Sequence, residues 1–140
     1  DVFRHSGSTE IAEGQLNLCG TEQSIPSLFG AGSVFYGKLS GSIRAFVGGD
    51  ESNAISLGTS LSFGPIALDV EVAEGIEDIN RTFVPVARIN GADLSEETLA
   101  SWQGRFKFNG LRYIATGVKI ENSVAYAQVE LDSGLMIIFR

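Results

Sequence analysis

The residues able to carry acid–base, nucleophilic or metal chemistry are few in this chain, and their spacing scatters them. His5 is the only histidine and Cys19 the only cysteine among 140 residues. A histidine base needs a nucleophile within hydrogen-bond reach and a carboxylate to orient it. Around His5 the sequence is rich in Gly, Ser, Thr and acidic residues and too poor in apolar ones to hold such a geometry. One histidine and one cysteine also fall short of the usual zinc ligand sets, and a lone cysteine allows no intrachain disulfide. With Leu16 and Leu18 beside it, Cys19 reads as a small buried or half-buried hydrophobe, not a reactive thiol.

The carboxylates offer more. Asp69 and Glu71, two residues apart, project from one face of a strand. Paired carboxylates hydrolyse glycosides where a cleft separates them and raises one pKa. Here Leu68, Val70 and Val72 take the alternate positions, which turns both acids toward solvent. Glu74, Glu77 and Asp78 crowd one loop beside Asn80 and are the only metal candidates, although their spacing is not that of a hand-type calcium loop. Asn80-Arg81-Thr82 is a formal glycosylation acceptor. Trp102, Tyr113, Tyr126 and Tyr36 are the aromatics from which a sugar-stacking platform would have to be built. There is no Gly-x-Ser-x-Gly elbow, no phosphate-cradling Gly-Lys-Ser/Thr loop and no Gly-x-Gly-x-x-Gly. These readings predict no catalytic residues and no cofactor.

The elements that must position these side chains are mostly strands. Glycine is abundant, at 17 residues, and only 19% of residues are charged, a composition of short strands and tight turns. From Val34 the apolar residues recur with period 2. Val34 to Val47 is a strand broken by Gly37 and Gly41, which implies a bulge or bend. Ile55 to Phe63 and Ile66 to Val72 read as a hairpin turned at Gly64-Pro65, and Pro85 pushes a strand over 82–89 toward a sheet edge. One helix is expected over about 94–103, capped by Asp93, with Glu96 three residues on and Gly104 closing it, so that Leu99 and Trp102 share its buried face. A meander follows, with turns at Asn109-Gly110, Glu121-Asn122 and Asp132-Ser133-Gly134, and a last strand from Leu135 to Phe139. In it Phe106, Phe108, Val129 and Leu131 should face inward. No repeat of fixed period is visible.

The expected fold is all-β: an antiparallel sandwich, jelly roll or small barrel over residues 34–140, with residues 1–33 as an extended N-terminal arm. A net charge of −7 opposes binding to nucleic acid and to anionic membranes. No apolar run approaches the roughly 18 residues that a spanning helix needs. By elimination the chain is expected to be a non-enzymatic building block of a symmetric assembly, such as a virion capsid, cement or tail component, whose partners are itself or neighbouring subunits. Its setting would then be a virion or the extracellular space. A secreted carbohydrate- or small-ligand-binding module and a small outer-membrane barrel are the alternatives. The barrel is opposed by strands too short to span and by Asp69 and Glu71 on a strand face.

Overall fold

The computed structural model describes residues 8–132. The chain winds back and forth between two rows of strands. β1 (Thr9–Glu10), β3 (Glu22–Phe29), β5 (Gly37–Val47) and β7 (Leu61–Val72) lie parallel in one row. β2 (Gln15–Asn17), β4 (Ser33–Phe35), β6 (Ile55–Leu57) and β8 (Phe83–Ile89) lie parallel in the other. Each strand therefore pairs with the one two places back, as in a coil. β9 (Gln103–Phe108), β10 (Leu111–Glu121) and β11 (Val124–Leu131) then form an antiparallel meander that bridges the rows, β9 beside β7 and β11 beside β8. Among the described residues the result is one curled, half-barrel sheet of 11 strands whose free edges are β1 and β2.

The mostly β fold expected from the sequence is present, but β1 to β8 pair with one another in parallel, not antiparallel. The hairpin expected at Gly64-Pro65 does not form; both residues lie inside β7. The apolar phase changes there, from Leu61 and Phe63 to Ile66, Leu68 and Val70. A register shift against β5 between Leu39 and Gly41 absorbs the extra residue and returns the apolar side chains to the core. Pro85 likewise does not mark an edge, because β8 lies between β6 and β11. It sits beside the register shift between Ala125 and Tyr126, where a missing N–H is tolerated.

The expected arm also differs. Residues from Thr9 onward belong to the sheet, and Leu18, Ile25 and Leu28 join the same core as Ile43, Leu57 and Val129. Their apolar residues are sparse because each short strand needs only one or two inward positions when its neighbours come from the next coil. The helix α1 spans only Glu96–Ala100, and Ser95 caps it in place of Asp93: its Oγ accepts the Thr98 N–H at 3.1 Å. Leu99 and Trp102 are both fully buried, although Trp102 lies just past the helix end, not on its face.

The meander follows its signals up to Asp132, except that the turn expected at Glu121-Asn122 falls one residue later, at Asn122-Ser123; the strand expected from Leu135 to Phe139 lies outside the described residues. Asn109 and Gly110 both have positive φ, the conformation that a two-residue hairpin turn requires. Val129 is buried, and Phe106 and Phe108 are half-buried against the core. Leu131 is a correction: it is 40% exposed, at the end of the β10–β11 ladder.

Two corners hold the coils together. Cys19, Tyr36 and Ser60 stack at one corner with φ of 55°, 57° and 57°. The Gly20 N–H donates to the Tyr36 carbonyl at 2.9 Å, and the Gly37 N–H to that of Ser60 at 3.0 Å. At another corner Arg88 reaches across coils, its guanidinium donating to the carbonyls of Ala54 and Ala31 at 2.7 Å each. Charged donors make the stronger kind of hydrogen bond, about 1.5–3 kcal/mol each.

Candidate functional site

The richest polar constellation stands on the outer face of β3, β5 and β7. Ile43, Ala45 and Val47 fill the core, so the alternate residues Ser42, Arg44 and Phe46 face outward. In-register pairing sets Arg44 beside Asp69 and Phe46 beside Glu71. The Arg44 guanidinium lies 3.4 Å from Asp69 Oδ2 and 3.7 Å from Glu71 Oε1. It also stacks over the Phe29 ring, 5.2 Å from its centroid, and Phe29 meets Phe46 edge-on at 5.7 Å. Only 18% of the Arg44 side chain is exposed, and its Nε is buried without a partner.

Ser27 completes the cluster. It occupies a bulge between Ile25 and Leu28 at φ 43°, a conformation costly for a side chain larger than glycine's. Two bonds hold it there: the Ser42 hydroxyl accepts its N–H at 2.7 Å, and its own hydroxyl donates to Asp69.

Beside this cluster opens a cleft of about 490 Å³, within the common size range of small-ligand sites. Phe29, Phe46 and Arg44 line it from the sheet, Glu10 from the first coil, and Asp50 and Asn53 from the loop after β5. Asp50 caps the 3-10 turn Glu51–Asn53: its Oδ1 accepts the Ser52 N–H at 2.9 Å. Hydrogen bonds from the Ser52 backbone and then its side chain hold the Asp50 carboxyl below its ordinary pKa.

Searches among known protein families, curated proteins and solved structures found no match to this chain.

The residues singled out in the sequence fare differently. Asp69 and Glu71 do lie on an outer strand face, but they are held by Arg44. Glu74, Glu77 and Asp78 are exposed and are not gathered; among the described residues no group of three His, Cys, Asp or Glu side chains could hold a metal ion. Ile79, fully buried, and Ile76, packed on the core, anchor that loop by its apolar side. Asn80 is exposed, and its side-chain oxygen accepts the Leu131 N–H at 3.1 Å. Cys19 is exposed, a correction to the buried reading, because its corner position puts Leu18 inward instead. His5 lies outside the described residues. The four aromatics are not brought together, since Trp102 and Tyr113 are buried in the core.

Tyr126 does make a specific contact on the outer face, donating its hydroxyl to Glu51 Oε1 at 2.5 Å. That bond, then burial and the charges of Glu51 and Glu121, push its pKa up to about 12. A raised tyrosine pKa means that the contribution is intact below about pH 10 and is lost as pH rises through about 12. Subtracting the 295 nm titration of Tyr126→Phe from that of the wild type should leave a phenolate transition near pH 12. A midpoint near the ordinary tyrosine value of about 10 would show that the bond is absent in solution.

Arg44, Ser27, Phe29 and Phe46 were not visible as a site in the sequence. They lie far apart along the chain, and only parallel pairing of β3, β5 and β7 makes them neighbours. The one signal was alternation within Val34 to Val47, which places Arg44 and Phe46 on the outer face.

Proposed function

We propose that this chain is a non-enzymatic building block of a symmetric assembly, of the kind found in virions or outside cells, and that copies meet through the first coil. The observation that carries this reading is the position of the free sheet edges. Among the described residues both belong to β1 and β2, consecutive strands of one coil, while the opposite end is closed by the meander. A coil end of this type leaves a rim of unpaired backbone groups that repeat proteins normally cover.

The hydrogen bonds identify the rim. Ser33 donates to the Gly14 carbonyl and Leu18 to that of Phe35, each at 3.0 Å, so even-numbered residues of β2 face β4. By strand alternation the N–H groups of Gln15 and Asn17 face the other way. Because only one end of the coil is free among the described residues, self-association there would close as a two-fold pair and not run on into a filament.

Light scattering on the eluting full chain tests the reading, with Gln15→Pro as the probe, since proline removes an outward N–H and leaves the β2–β4 ladder intact. A wild-type dimer or multiple of it that becomes monomeric in Gln15→Pro, with an unchanged melting temperature, supports the proposal. A wild type that stays monomeric up to millimolar concentration overturns it, as does an oligomer that the substitution leaves unchanged.

A further inference from the structure

The cleft beside Arg44 has a chemistry of its own. Its floor is aromatic, formed by the edge-to-face pair Phe29 and Phe46. Its walls carry planar polar side chains, Glu10, Asp50, Asn53 and the guanidinium of Arg44. Two of the ionic groups are already engaged within the protein. Arg44 is held by Asp69 and Glu71, and one oxygen of Asp50 by the Ser52 N–H.

These partners decide what the cleft can accept. An anion would approach Arg44 through the carboxylates of Glu10, Asp50, Asp69 and Glu71, in a chain of net charge −7. An organic cation would meet the like charge of Arg44, which lines the cleft and already lies over the Phe29 ring. A neutral ligand with an apolar ring face and several hydroxyls meets neither charge, and it can stack on Phe46 instead of the covered Phe29. Its C–H groups lie against phenyl rings, and its hydroxyls donate to carboxylates and exchange hydrogen bonds with an amide.

We propose that this cleft binds a neutral saccharide of one to three rings, with the Phe46 ring against its apolar face, Phe29 beside it, and Asp50, Asn53 and Glu10 on its hydroxyls. The site needs no second subunit and does not rest on the assembly reading.

The test presents the full chain to immobilised neutral mono-, di- and trisaccharides of hexose and N-acetylhexosamine, with sulfated and sialylated glycans and spermidine alongside. Isothermal titration then measures the best binder. Two variants follow: Asn53→Ala on an exposed turn, and Phe46→Leu, which keeps apolar bulk but removes the ring. Binding of a neutral saccharide weakened at least about tenfold in both variants, at unchanged melting temperature, is the expected result. Capture of only sulfated or sialylated glycans, of only spermidine, or of no probe overturns the proposal. Neutral-sugar binding that both variants leave intact overturns it too, because the sugar then sits elsewhere.

Discussion

Gly41→Ala should destabilise the fold by about 3–5 kcal/mol, enough to remove a large share of a typical domain's stability. Two effects add. Gly41 has φ +105°, where any side chain is strained by roughly 1–3 kcal/mol. A Cβ there would also stand 2.3 Å from the Ile25 carbonyl oxygen and 2.7 Å from the Ile25 nitrogen. Those atoms are backbone of the neighbouring strand, paired with Gly41 in the β3–β5 ladder, so relief requires parting two strands of the sheet. Moving a packed backbone adds a further cost of about 1–3 kcal/mol. Gly75→Ala separates the two effects: its φ is +87° and nothing lies within 4 Å of the added carbon. Urea unfolding followed by circular dichroism should show a loss of about 1 kcal/mol for Gly75→Ala and at least twice that for Gly41→Ala. Equal losses would mean that β3 and β5 do not approach as closely as described.

Trp102→Ala should cost about 3–5 kcal/mol, the range for emptying a large aromatic site. Trp102 has no exposed surface and lies edge-on to Phe63 at a centroid distance of 5.5 Å. Its carbonyl accepts the Gly117 N–H at 3.1 Å, so its backbone ties the segment after α1 to β10 while the indole fills the core. The indole Nε1 has no hydrogen-bond partner among the described residues. A buried donor left unpaired costs about 1–3 kcal/mol, and phenylalanine removes that donor while keeping most of the ring. Trp102→Phe should therefore lose clearly less than Trp102→Ala, and less than the missing ring volume alone implies. A denaturation series in which both variants lose the same amount would show that the indole N–H is satisfied in solution. A loss below about 1 kcal/mol for Trp102→Ala would place the side chain outside the core.

What the sequence determined by itself was local. Period-2 alternation marked the strands from Val34 onward, Asn109-Gly110 turned a hairpin, and the spacing of Leu99 and Trp102 marked both as buried. Each of these signals lies within a few residues, where backbone sterics and side-chain direction act directly. The choice of partner strand lies beyond that range. The same alternation serves a hairpin or a coil, so Gly64-Pro65 read as a turn although it is a bulge inside β7. The coil left no fixed period because its windings differ in length: Gln15 faces Ser33, Ser33 faces Ser56, and Ser56 faces Arg88. Residues 9–33 looked like an arm for a related reason, since Ile25 and Leu28 are buried by strands that come later in the chain. The candidate site was decided wholly by tertiary structure. Asp69 and Glu71 were visible as outward acids, but that alternation says nothing about what stands opposite. Only the parallel register of β3, β5 and β7 brings Ser27, Phe29, Arg44 and Asp69 within reach of one another, because hydrogen bonding between distant segments, not sequence spacing, sets which side chains share a face.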